Sequence, residues 1–212
     1  QTEGVSPNTV TYASILKACG SIKAKDKFLR LHLELVSQGF LAADRILTNV
    51  VIDMYAKCGL LKRAQDVFNQ LMEPDIMSWN ALMGGYAMHG CGEESWASFL
   101  QMKQDGLPPD AISYGCVLQA CGATGSLKTC KEIHFHLVSS GCEHISLVAA
   151  TLIHTYGSCA SMIDGQAFFE KLLEPDIVSW NACISGHIAE GSFSNSINVF
   201  EKLKVEGVHP DE

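Results

Sequence analysis

The sequence predicts an all-α fold, a right-handed α-solenoid of stacked helix-turn-helix repeats, and three observations carry that prediction. Residues 73–90, EPDIMSWNALMGGYAMHG, return as residues 174–191, EPDIVSWNACISGHIAEG, identical at ten of eighteen positions at an offset of 101. All six prolines (Pro7, Pro74, Pro108, Pro109, Pro175, Pro210) fall between apolar segments, where a residue that cannot continue a helix belongs. Between them, apolar residues recur with helical spacing. A long fixed period built of short helical pairs is the signature of units that bury their apolar faces only by stacking.

The period runs through the whole chain at an offset of 101 or 102. ASILKACG (13–20) answers to GCVLQACG (115–122), LELVSQG (33–39) to FHLVSSG (135–141), VVIDMYAKCG (50–59) to TLIHTYGSCA (151–160), and DGLPPD (105–110) to EGVHPD (206–211). Cutting after the acidic or Asn residue that follows each junction gives units at 9–44, 45–75, 76–110, 111–145, 146–176 and 177–211. Residues 1–8, QTEGVSPN, match the end of the third unit and read as the tail of a preceding one. Both ends are expected to stop inside an array.

The third unit justifies the helical pair most clearly. Trp79, Leu82, Met83 and Tyr86 form one apolar stripe at i, i+3, i+4 and i+7. Gly90 and Gly92 interrupt it, Trp96, Phe99 and Met102 form a second stripe, and Gly106 stops that helix. The sixth unit has Ile197, Phe200 and Leu203 at the second stripe, so these are expected in the core. Trp79 and Trp180 read as packing residues. The nine cysteines include no CxxC spacing, which argues against structural zinc or a thioredoxin-type centre. They read as small buried hydrophobes at helix contacts, in a reducing compartment.

Packing does not account for Asn80 and Asn181 beside the tryptophans. Asn is a mediocre helix-interior residue whose amide wants partners on both sides. Asp110 and Asp211 close the same units and sit in the turn leading to the next first helix, within reach of that amide. An amide held by a carboxylate offers a fixed donor and acceptor to a base edge. Asp75, Asp110 and Asp176 also immediately precede helices, where capping is a sufficient reason for a carboxylate and is compatible with readout.

The 36/31/35 and 35/31/35 unit lengths, VIDMYAKCG in a short unit, SWNALMGGYAMHG in a standard one, and GLPPD or GVHPD at its end together resemble the plant-type pentatricopeptide-repeat proteins that alternate long, short and standard repeats. The likeness covers essentially the whole chain. It implies one nucleotide of single-stranded RNA per repeat, with the base chosen by the fifth and last residues and sandwiched by the second residues of adjacent repeats. Carried over, Asn80 with Asp110 and Asn181 with Asp211 resemble the uridine-preferring pair, and Asn49 with Asp75 a weaker pyrimidine preference. Met77, Val178 and Ile46 are the apolar clamps. Ala150 with Asp176, Ala13 with Asp44, and Gly115 with Ile145 lack the amide, so the expected pattern along the chain is any, pyrimidine, U, any, any, U.

By the same resemblance, related plant proteins often end in a zinc deaminase-like domain, whose chemistry needs a His-x-Glu and a Pro-Cys-x-x-Cys. HLE occurs at 32–34 without any PCxxC, so catalysis and cofactors are not expected here. His134 and His136 lie two apart and do not share a helix face. No run approaches the roughly 20 apolar residues that span a bilayer. The resemblance implies an organellar factor, mitochondrial or chloroplastic, for RNA editing or processing, with editing or processing proteins as further partners. The net charge of −8 and a single Lys57 where phosphates pass predict weak, salt-sensitive affinity for this segment. A helical-repeat scaffold for a protein or peptide partner is the alternative that tolerates the acidity better, and a degenerate fragment is a third.

Overall fold

The computed structural model describes residues 7–22 and 24–207, apart from the side chains of Ala42 and Ala43. Helices come in pairs along the chain: α1 (Thr9–Ser21) with α2 (Lys25–Ser37), then a short α3 (Phe40–Ala43); α4 (Arg45–Lys57) with α5 (Leu61–Phe68); α6 (Ile76–Met88) with α7 (Gly92–Gln104). After these come α8 (Ala111–Thr124) with α9 (Leu127–Ser139) and a 3-10 turn at Cys142–His144, α10 (Ser146–Ser158) with α11 (Met162–Phe169), and α12 (Ile177–Ala189) with α13 (Phe193–Val205). No strand occurs among the described residues.

Short-range chemistry sets the starts of the first helices. Asn8, Asp44, Asp75, Asp110 and Asp176 each accept the backbone N–H three residues on, at 2.8–3.1 Å, which satisfies a donor the helix cannot. Only α10 follows an apolar residue, Ile145, and begins without a side-chain cap. Stops are set by left-handed residues: Gly90 and Gly106 follow α6 and α7 with φ near 70° and 80°. At the end of α10 the same backbone turn falls on Ala160, with φ 51°, at the position that Gly59 holds one period earlier.

The first helices α1, α4, α6, α8, α10 and α12 pack on one another in sequence, and each second helix lies against its own first helix, with α5, α7, α9 and α11 also touching the next one. The result is the α-solenoid that the sequence predicts, with one continuous apolar core. Trp79 meets Phe68 edge-on at 4.5 Å, and Trp180 meets Phe169 at 4.7 Å; both indoles are buried, so the tryptophans are packing residues. Backbones come closest at a repeated crossing point. A Cβ on Gly85 would lie 2.4 Å from Ala56 Cβ, and one on Gly157 2.7 Å from Gly186 Cα.

Polar bonds tie second helices to first ones with the same period. Tyr55 bonds His32 as Tyr156 bonds His134, and Tyr86 bonds Gln65 as His187 bonds Gln166. His136 points elsewhere, with its Nδ1 2.6 Å from Lys103 Nζ. One expectation about the core fails. Ile197 and Phe200 are exposed, and α13 instead buries Ser196, Val199 and Leu203. The reason is position: α7 is covered by both α6 and α8, whereas α13 packs chiefly on α12 among the described residues, so Phe200 lacks the roof that fully buries Phe99.

Candidate nucleic-acid interface

The row of first helices carries two side-chain lines. The second residue of each helix, Val10, Ile46, Met77, Ile112, Leu147 and Val178, is large, apolar and 45–71% exposed. Six such residues in one register, left in water, form an apolar ladder that the core does not require. Met77, Val178 and Ile46 were singled out by sequence; Val10, Ile112 and Leu147 occupy the same register.

Three residues further along α4, α6 and α12 lies the polar line, Asn49, Asn80 and Asn181. Asn80 Nδ2 donates to Asp110 Oδ1 at 3.1 Å, thirty residues away in sequence. Ser113, in the first turn of α8, donates its hydroxyl to Asn80 Oδ1 at 2.7 Å. That serine also accepts the Asp110 N–H at 3.2 Å, and its own N–H donates to Asp110 Oδ1 at 2.8 Å. A carboxylate only accepts, so the amide must turn its NH2 group to Asp110 and its oxygen to Ser113. The network spends one amide N–H and leaves the other for a ligand acceptor.

One unit earlier the same arrangement holds Asn49. Its Nδ2 lies 3.3 Å from Asp75 Oδ1, and Ser78 Oγ donates to its Oδ1 at 2.7 Å. Here the whole residue is only 6% exposed, and Arg45 approaches Asp75 at 3.7 Å. Asn181 is exposed on α12, while its expected partner Asp211 lies outside the described residues. In the fifth unit Ala150 is buried, and Asp176 takes the hydroxyl of Ser146 in place of an amide. Around Gly115 nothing lies within 4 Å of where a side chain would begin. That space opens into a groove of about 700 Å³ between α8 and α10, lined among others by Ile112, Gly115, Cys116, Leu147 and His154.

Burial opposes ionisation of Asp110 more than any single contact favours it. The Ser113 N–H, the Asn80 amide and the Ser113 hydroxyl together nevertheless hold its carboxyl below the usual range. Asp75 and Asp176 are held down in the same way, against burial, by Ser78, Asn49 and Arg45 in one case and by Ser146 and Ser179 in the other. These aspartates therefore cap the first helix of the next unit and hold a side chain near the start of their own unit with the same carboxylate. Lys57, the one lysine expected near a phosphate path, forms an ion pair with Asp53 at 2.6 Å.

Sequence reasoning missed the serines. Their local signal is present as D-x-x-S at 75–78, 110–113 and 176–179, a capping-box pattern, but the second partner of Ser78 and Ser113 lies about thirty residues upstream.

Residues 74–123 match the PPR repeat family, and residues 46–75 and 178–208 match the PPR repeat. A pentatricopeptide repeat-containing protein of Arabidopsis thaliana is 31% identical over 206 residues, 95% of this chain and 30% of that protein. Two more from the same plant, one chloroplastic and one mitochondrial by name, are 30% and 31% identical, over 95% and 99% of this chain and 38% and 33% of their own lengths. The chain thus spans about a third of the length of these curated relatives. Among solved structures, the pentatricopeptide repeat protein PPR10 in complex with an 18-nt psaJ RNA element superposes with a TM-score of 0.74 at 23% identity, covering 98% of this chain and 31% of that one. PPR10 from maize superposes at 0.58 with 17% identity, over 99% and 35%.

Proposed function

The chain belongs to the pentatricopeptide-repeat family, and from that premise we propose that its first-helix row binds single-stranded RNA, one nucleotide per unit, with bases seated between successive rungs of the apolar ladder. The observation that carries this reading is the Asn80–Asp110–Ser113 network. It fixes the amide's orientation while leaving one N–H for a base acceptor. Uracil O4 or O2 suits that donor, and a base there would sit between Met77 and Ile112. Asn49, with its buried amide, selects more weakly. The Gly115 and Ala150 units accept any base, since neither supplies a polar group.

Asn181 with Asp211 is assigned the second uridine by the same logic, in an organellar factor for transcript editing or processing. The relatives named as chloroplastic or mitochondrial support that location. Three selective positions at about 1–3 kcal/mol each define a register rather than a unique transcript. The acidic surface keeps affinity at roughly the micromolar level and salt-sensitive.

Fluorescence anisotropy with short single-stranded RNAs tests the reading. An RNA with uridines at the third and sixth positions should bind more tightly than the all-adenosine equivalent and weaken as salt rises. Equal, salt-independent binding of both would favour a protein-binding scaffold.

A further inference from the structure

The cysteines are scattered in sequence, yet three converge in space. Cys121 in α8, Cys130 in α9 and Cys159 just after α10 place their sulfur atoms within 4.8 Å of one another, all buried. The corresponding positions one period earlier are Cys19, Phe28 and Cys58, where the fully buried Phe28 ring fills the middle place. A junction of this shape therefore closes with an apolar side chain, and packing alone does not call for a third thiol.

The Cys121 thiol donates to the Ser126 carbonyl oxygen at 3.3 Å. Cys121 also lines a cavity of about 360 Å³ between α7, α8 and α9, whose other walls include Glu93, Trp96 and Thr129.

We propose that Cys121, Cys130 and Cys159 form a binding site for one soft monovalent cation of the copper(I) class. Sulfur ligands about 2.3 Å from a common centre lie about 4 Å apart in a plane, so the cluster needs to contract by less than 1 Å from its 4.8 Å limit. No histidine or carboxylate joins the cluster among the described residues. Zinc would therefore lack the fourth ligand of its structural sites, whereas an all-sulfur set suits copper(I). On binding, the three S–H bonds break, their protons leave to solvent and three S–Cu bonds form, with no change of oxidation state.

The test uses the full chain, reduced and kept anaerobic, with copper(I) supplied from the competing chelator bicinchoninate and zinc(II) in a parallel titration. The expected result is one copper(I) per chain, a higher melting temperature, and weaker zinc binding. Cys121→Ser and Cys130→Phe, the latter copying the earlier junction, should each lower affinity by more than the roughly 10–100-fold that losing an outer-shell partner costs. Unchanged stoichiometry and affinity in Cys121→Ser, or zinc held more tightly than copper, would overturn the proposal. If Cys130→Phe fails to melt cooperatively, Cys121→Ser alone decides.

Discussion

Replacing Ser113 with alanine isolates the contact that orients the Asn80 amide. The hydroxyl is fully buried, donates to Asn80 Oδ1 and accepts the Asp110 N–H. Its loss leaves two partly buried groups short of a partner, which costs about 2 kcal/mol on the usual scale for unsatisfied partners. Ser179 stands at the same place in α12, but the position facing it from the preceding unit is Ala150, with no amide. Ser179→Ala removes only a hydroxyl contact to Asp176, whose bonds to Ser146 and to the Ser179 N–H survive. That change should cost about 0.5–1 kcal/mol. The difference of about 1 kcal/mol corresponds to about 2–4 °C in melting temperature for a chain of this size. Urea and thermal melts followed by circular dichroism measure both. An Asn80→Ala and Ser113→Ala double-mutant cycle should show a coupling of at least about 0.5 kcal/mol. Equal losses in the two serine variants, with no coupling in the cycle, would refute a serine that clamps the amide.

Acid should destabilise the fold in two stages. His32, His134, His136 and His187 are held below the ordinary histidine value, burial being the first cause of each. The unfolded chain therefore takes up protons before the folded one, and stability falls as pH drops below about 6.5. Asp75, Asp110 and Asp176 titrate below their ordinary value, so their contribution is complete above about pH 4 and lost below it; a pH series of urea midpoints shows both steps. Ala160→Gly should stabilise by about 1 kcal/mol, because a β-carbon is strained at φ 51°, and an unchanged or lower melting temperature contradicts that. Gly157→Ala places a β-carbon 2.7 Å from Gly186 Cα and should cost about 1–3 kcal/mol, seen as a lower urea midpoint.

The solenoid was legible because its signals are short-range or periodic. Proline at junctions, the stripe of Trp79, Leu82, Met83 and Tyr86, and the 101-residue echo each follow from local backbone chemistry or from repetition. The approach of Asn80 to Asp110 could be anticipated because a turn links the closing residue of one unit to the next first helix. Three features depended on tertiary placement and were not legible. Ser113 carries only a local capping signal in the sequence, since its partner Asn80 is brought beside it by stacking. Ile197 and Phe200 shared the apolar pattern of Trp96 and Phe99, but a pattern does not reveal whether a following helix covers it. The three converging sulfurs come from α8, α9 and the turn after α10, and Cys130 has Phe28 as its counterpart, so the repeat itself concealed them.

Base choice at the third unit is the most direct measure of the account. Four RNAs differing only in the nucleotide facing Asn80 should show uridine favoured by about 1–3 kcal/mol, with that preference relaxed or switched in Asn80→Thr and choice at other positions unaltered. Indifference of the unmodified chain to that nucleotide, or an Asn80→Thr variant with the same ranking, would contradict it.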